Sequence, residues 1–350
     1  MDSLRFIGQR VLPHFPACAG ATVVPLGSGL INQTFLVTAN ARRSVLQRLA
    51  PIFSPVINEN IAAVTSALAA AGLPTPRLLP TREGNLWLDL GGEDGVWRLQ
   101  TFVPGVSFDK VQSPAQARAA GALVARFHCA LDGLVYAFGG LREGVHDTAK
   151  HLARLREALP DHKGHRLLPY VGPVAEAILT RAQDLDPMPV LPPRLCHGDL
   201  KLNNIRFAGE APPASEEALC LIDLDTVGPM SLGYELGDAW RSWCNLRGED
   251  DTHASVDLSV FRASFAGYAS GIGRALTEAE RRALLGGTEW ISLELASRFA
   301  ADALIESYFG WDPQRYPSRG DHNLARSRGQ LALHDAFVAT RKERAAILGL

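Results

Sequence analysis

The chain has 350 residues, with 35 Lys+Arg against 37 Asp+Glu and a formal net charge of −2. That length suits roughly two structural units, and a near-balanced charge provides no basic footprint for nucleic acid. Only five of the basic residues are lysines (Lys110, Lys150, Lys163, Lys201 and Lys342), so any chemistry that needs a lysine in the first 109 residues is excluded.

The five cysteines, Cys18, Cys129, Cys196, Cys220 and Cys244, form no C-x-x-C pair, so a disulfide framework or structural zinc is not expected. The N-terminus lacks an apolar signal-peptide segment, and no window approaches 18 uncharged apolar residues. The expectation is a cytoplasmic protein with no membrane partner; the sequence says nothing of oligomeric state.

In chain order, residues 4–15 read as a short amphipathic helix. Strand-like runs follow at Ala21–Pro25, Thr34–Thr38 and Ser44–Leu49, the first two separated by the glycine-containing GSGLINQ. Asn58–Ala71 reads as a helix with Ile61, Val64 and Leu68 on one face, stopped by Gly72 and Pro74. Asn85–Leu90 and Val96–Val103 are two further strands. Phe102-Val103-Pro104-Gly105 then forms a natural hinge. After the hinge the sequence turns helical. Ser113 caps a helix with Pro114 at its first position, running to about Leu131. Leu195–Phe207 and Leu219–Thr226 make a strand–loop–strand region. Thr277-x-x-Glu280 is a capping box, and a long helix is expected over about Glu289–Tyr308. The fold class is α+β and bilobal: a small antiparallel β lobe with one main helix over 1–103, and a larger helical lobe over 104–350.

The strongest chemical signal is Cys196-His197-Gly198-Asp199-Leu200-Lys201-Leu202-Asn203-Asn204, followed by Leu221-Ile222-Asp223-Leu224-Asp225-Thr226. A carboxylate and an amide stand five residues apart after one apolar strand, and paired carboxylates follow another. Phosphoryl transfer needs such parts: one carboxylate to orient the attacking hydroxyl, and oxygen donors to hold Mg²⁺ against phosphates.

These paired motifs resemble the aminoglycoside phosphotransferase and choline kinase superfamily, which is protein-kinase-like. The longer series GSGLINQTFLV, SVLQRL, NENI, HGDLKLNNI, LIDLDTVGP, GYELGDAWR and DHNLARSRGQL is similar to its N-acetylhexosamine 1-kinase group. The resemblance implies ATP and Mg²⁺, a sugar acceptor phosphorylated at its anomeric hydroxyl, Asp199 as the catalytic base, and Asn204 and Asp223 as metal ligands. The alternatives are a kinase of another small hydroxyl compound, such as an aminoglycoside, choline or homoserine, and a nucleotide-binding pseudokinase without chemistry. Lys201 would neutralise the transferring phosphoryl group. Gly27, Ser28, Gly29 and Asn32 fall where a phosphate-covering loop belongs. Backbone groups of Thr101–Val103 would meet adenine.

The third strand departs from the kinase pattern. Where a lysine is expected stands Gln47, with Arg48 next to it; alternate strand side chains face opposite ways, so one of the two serves the phosphates. Glu59 is the candidate helical partner. Asp225 is expected on the same face as Asp223 in an extended segment, supporting the metal or the sugar. In the 235–241 segment, Asp238 is expected to bond the catalytic loop and Arg241 to face the substrate. On the long helix Glu294, Arg298, Asp302 and Glu306 recur every four residues, and the resemblance suggests that Arg298 or Asp302 bonds sugar oxygens. Tyr308, Phe309 and Trp311 would supply a flat apolar face. His128 reads as a packing histidine.

Overall fold

The computed structural model describes residues 3–27, 31–142 and 144–350. Ser28 and Gly29 of the expected phosphate loop lie outside the described residues.

The N-terminal helix is short and irregular. Helix α1 (Ser3–Phe6) runs into a π turn at Ile7–Val11 and a tight turn at Leu12–His14. Pro13, which lacks an amide proton, falls at the start of that last turn, where no helical amide bond is required of it. Ile7, Val11 and Phe15 are nevertheless fully buried, against the sheet that follows.

That sheet is antiparallel. Strands β1 (Thr22–Pro25), β2 (Gln33–Ala39) and β3 (Arg42–Arg48) pair in sequence, and the β2–β3 turn is a two-residue one. Asn40 and Ala41 both take positive φ, 49° and 61°, as a hairpin turn matching the strand twist requires. Helix α2 (Ile57–Ala70) follows, with Ile61, Val64 and Leu68 buried as the periodicity predicts. Strands β4 (Leu78–Leu79) and β5 (Leu88–Asp89) are two-residue pieces, and β4 is too short to leave a periodic trace. Both pair with β6 (Val96–Thr101), which also pairs with β3, giving the order β1-β2-β3-β6-β4.

Beyond the hinge the chain is mostly helical. Helix α3 (Pro114–Leu131) starts at Ser113, whose hydroxyl accepts the Gln116 amide at 3.1 Å. Helices α4 (Thr148–Asp161) and α5 (Leu168–Asp184) precede strand β7 (Arg194–Cys196). Strands β8 (Ile205–Phe207) and β9 (Ala218–Leu221) form one hairpin, while β10 (Gly228–Met230) returns to β7. Helices α6 (Leu232–Trp243), α7 (Leu258–Gly271), α8 (Glu278–Ile305), α9 (Arg319–Ala339) and α10 (Arg341–Leu348) complete the fold. Apolar residues of α2, α3, α6, α7, α8 and the β8–β9 hairpin share the largest core.

The capping box and the long helix prove to be one element. Thr277 and Glu280 exchange hydrogen bonds and open α8, which continues for 28 residues. Gly286 and Gly287 do not break it, because Gly287 is where α6 crosses. A Cβ there would lie 2.0 Å from the Gly233 carbonyl oxygen. The helix stops at Glu306, which takes a left-handed φ of 52°, so Tyr308 lies on the following loop. Among the described residues no helix is long and apolar enough to cross a membrane.

Candidate functional site

The HGD segment hangs between β7 and a tight turn at Leu202–Asn204. Gly198 has φ +83°, and a Cβ on it would meet the Thr226 carbonyl at 2.7 Å, so glycine is required where the two motifs touch. The loop is held from beneath by α6. Glu235, 1% exposed, accepts the His197 amide at 2.8 Å and the Gly198 amide at 2.9 Å. His128 approaches the same carboxylate at 3.4 Å and Tyr268 at 3.0 Å. Burial pushes the Glu235 carboxyl up, but His128, His197 and the Gly198 amide together hold it below its ordinary value. Thr226 donates to the His197 carbonyl, and the Trp243 indole donates to that of Leu200.

This corrects one expectation. Glu235 braces the catalytic loop, and Asp238 instead bonds Arg241, at 3.0 and 2.9 Å. Glu235 sits one helical turn before Asp238, so only the orientation of α6 decides which acid meets the loop.

Asp199 and Lys201 are brought together, the ammonium donating to the carboxylate at 2.9 Å. Burial alone would lower the Lys201 pKa, but Asp199 and Asp223 carry it above the ordinary lysine value. The Asn204 side-chain amide donates to the Asp199 carbonyl at 2.9 Å, which leaves its own carbonyl oxygen as an available donor to a cation. Asp223 sits beside them in left-handed backbone, φ 64° and ψ 59°, and its pKa is pushed up to about 6 by burial, by Asp225 and by Asp199. Hard oxygen donors among crowded carboxylates fit a cation of the Mg²⁺ or Ca²⁺ type.

Asp225 is not on an extended segment with Asp223, because Leu224–Thr226 is a tight turn. Its carboxylate points to the N-terminal sheet. Asn32 donates to it at 2.6 Å, and Arg98 of β6 pairs with it at 2.5 Å. One oxygen is thus hydrogen-bonded by Asn32, and the other stands in ion-pair contact with Arg98 without a hydrogen-bond partner among the described residues. Asn32 in turn accepts the Ala50 amide, so this loop residue ties the sheet to the second motif.

Gln47 and Arg48 face opposite ways. Gln47 is buried and faces the interior, whereas Arg48 turns outward to the Glu93 carbonyl and packs over Gly95. Glu59 is exposed; its neighbour Asn58 is the α2 residue facing inward, 3.4 Å from Arg98. At the hinge, the Thr101 amide and hydroxyl are both bonded to Arg77, and Arg43 lies 4.2 Å over the Phe102 ring. Val103 follows in the connection to the helical part, and Gly27 lies two residues past β1 with φ +73°.

On the other side of Asp199 the polar groups form a chain. Arg241 pairs with Asp238 and with Glu249 at 3.3 Å, and Glu249 also meets Arg326 at 3.4 Å. Arg326 lies over Phe299, which packs on Phe309 at 4.4 Å. Arg298 lies 5.5 Å over Phe309, 5.9 Å over Tyr308 and 3.8 Å from Glu294. Arg142 donates to the Tyr308 hydroxyl at 2.7 Å. Glu294 also bonds Thr148 at 2.7 Å and His146 at 3.1 Å. A cavity of about 640 Å³ opens here, walled by Arg142, His146, Thr226, Tyr234 and Trp290. Of the recurring acids of α8, Glu294 is a buried pair with Arg298, while Glu306 is partly exposed beside His165. Asp302 is the exception to the sugar-site expectation: its carboxylate accepts the amides of Ser307, Tyr308 and Phe309 and the Asn323 side chain, so it shapes the loop that carries Tyr308.

Residues 22–274 match the family model of the APH phosphotransferase enzyme family. Three solved structures show the same fold. A microcompartment-associated aminopropanol kinase is 17% identical, with a TM-score of 0.63, over 96% of this chain and 98% of its own. An amicoumacin kinase crystallised with AMP-PNP and Ca²⁺ is 14% identical, with a TM-score of 0.61, over 95% and 93%. The Plasmodium vivax ethanolamine kinase is 12% identical, with a TM-score of 0.57, over 97% and 88%. With the family model spanning most of the chain and both HGD-x-x-x-x-N and IDxD inside the matched span, this protein belongs to the APH phosphotransferase enzyme family and is a small-molecule kinase.

Proposed function

We propose that the protein is an ATP- and Mg²⁺-dependent kinase that phosphorylates the anomeric hydroxyl of an N-acetylhexosamine. The observation that carries the acceptor class is the charge balance around Asp199. Acids on that side are matched by arginines, Asp238 and Glu249 by Arg241 and Arg326, and Glu294 by Arg298. A polycationic acceptor calls for a surplus of negative charge; a neutral polyhydroxyl compound does not. Aromatic faces and polar tips, such as Tyr308 under Arg298 and His146 stacked on Tyr234 at 5.2 Å, suit a sugar ring. The buried Nε2 of His146 has no hydrogen-bond partner among the described residues and is available to an acceptor oxygen.

In this reading Asp199 accepts the hydroxyl proton of the acceptor and aims its oxygen at the γ-phosphorus. Lys201, held charged beside it, offsets negative charge on the phosphoryl group in flight. Asn204 and Asp223 would hold the metal ion, which when bound neutralises phosphate charge. Gly27 lies at the start of the segment that covers the phosphates in this reading, and the backbone around Val103 meets adenine. Arg241, Arg298 and Tyr308 border the acceptor.

The rival reading is an amine-bearing acceptor, favoured by the aminopropanol and ethanolamine kinases among the structural relatives. A phosphorylation assay across N-acetylhexosamines, other sugars, ethanolamine, choline, homoserine and aminoglycosides separates the two. Phosphorus NMR of the product then locates the phosphate. Turnover of amines with none of hexosamines refutes the sugar assignment. Asp199→Asn should lower kcat by about 10²- to 10⁴-fold while nucleotide binding persists; unchanged kcat refutes the base.

A further inference from the structure

The first 109 residues hold no lysine, yet the N-terminal sheet does carry one buried cation. Arg98 on β6 is 1% exposed and stands directly across from Gln47 of β3 in the strand register. Its Nε and Nη2 donate to the Gln47 side-chain oxygen at 2.9 and 2.7 Å, and Gln100 donates to the same oxygen at 3.0 Å. Gln47 completes itself by donating to Thr34 at 3.2 Å. This explains why position 47 holds a neutral acceptor. A lysine there would place an ammonium against the Arg98 guanidinium, whereas the glutamine oxygen receives three donors.

The helical partner is displaced in the same way. Asn58 faces Arg98 from α2 at 3.4 Å, and the acid that neutralises the guanidinium comes from the other motif, Asp225 at 2.5 Å. Asp225 is two residues beyond Asp223, in the tight turn that follows the left-handed Asp223. Its second oxygen is held by Asn32 at 2.6 Å. Two N-terminal side chains thus grip one carboxylate next to the proposed metal ligand.

We propose that Arg98 is the positioning cation of this kinase: its ion pair with Asp225 links the N-terminal sheet to the metal-binding segment and holds Asp223 in place for the metal–nucleotide complex. The assignment rests on the kinase reading above. Two guanidinium donors on the Gln47 oxygen together with an ion pair to Asp225 are a contact set that arginine can make and lysine cannot reproduce fully.

The test uses the full-length protein and calorimetric binding of ADP with and without Mg²⁺, alongside kcat. In the wild type, Mg²⁺ should tighten ADP binding. Arg98→Met should reduce that Mg²⁺-dependent gain at least tenfold, and Arg98→Lys should restore part of it. Asp225→Asn, which keeps the side-chain shape should Arg98→Met fail to fold, should reproduce the loss. The double variant Arg98→Lys/Asp225→Asn should be no worse than Asp225→Asn alone, because the two residues act as one pair. An undiminished Mg²⁺-dependent gain in Arg98→Met or in Asp225→Asn overturns the assignment of Arg98 while leaving the kinase reading standing. A wild type that binds neither ADP nor Mg²⁺–ADP overturns the kinase reading itself.

Discussion

Glu235 offers the sharpest test of how the catalytic loop is held. It is buried, and its two oxygens accept the amides of His197 and Gly198, the residues immediately before Asp199. Glu235→Ala leaves both amides without an acceptor. An orphaned buried donor costs about 1–3 kcal/mol, so the pair costs roughly 2–6 kcal/mol. That is a large share of the about 5–15 kcal/mol that stabilises most folded proteins. Glu235→Gln keeps one acceptor oxygen but turns an NH₂ toward the other amide, so about 1–3 kcal/mol is expected. Urea unfolding with constant slope measures the difference. Steady-state kinetics should show kcat falling in the glutamine variant, because the backbone that carries Asp199 loses half its anchor. The sign with pH follows from the direction of the shift. The Glu235 carboxyl lies below its ordinary value, so its contribution is present above the unfolded value near 4.5 and is lost as pH falls through the lower folded one. The stability gap between wild type and Glu235→Gln should therefore narrow below pH 4.5. A glutamine variant with wild-type urea midpoint and wild-type kcat refutes the brace.

Three other outcomes follow from particular contacts. Asp223→Asn should remove most Mg²⁺-dependent nucleotide binding, measured by calorimetry, because a neutral amide replaces the charged oxygen among the proposed ligands. Ala41, at φ 61° in the β2–β3 turn, occupies a conformation costing a non-glycine residue about 1–2 kcal/mol; Ala41→Gly should raise stability by a fraction of that, read as a higher urea midpoint. Burial and the Arg326 charge lower the His322 pKa to about 4, so the unfolded chain takes up the proton first and stability should decline as pH falls from about 6.5 toward 4. His322→Asn should flatten that decline in urea melts; an unchanged slope refutes it.

The elements that sequence reading located well are those whose signals are local. The Ser113 and Thr277 caps, the apolar face of α2 and the three N-terminal strands all depend on neighbours within a few residues. The HGD-x-x-x-x-N and IDxD segments are legible for the same reason: each is one tight loop carrying its own chemistry. The two-residue strand β4 escaped because it exists only through its pairing with β6. The separate helix expected at 289–308 merged with its predecessor because Gly287, a residue that weakens an isolated helix, is the contact point for α6.

Length, composition and the paired motifs determined by themselves that this is a two-part α+β kinase with Asp199, Asn204 and Asp223 as the residues to test. They also determined that no N-terminal lysine serves it. Which groups surround the position where that lysine is expected was decided only by tertiary structure. Gln47 and Arg98 are 51 residues apart in sequence and become neighbours through the β3–β6 register, and Arg98 reaches Asp225 only when the sheet sits against the second motif. The same holds for Glu235 under the catalytic loop and for Asp302 behind Tyr308. A carboxylate's role depends on which donors surround it, and those donors come from distant parts of the chain.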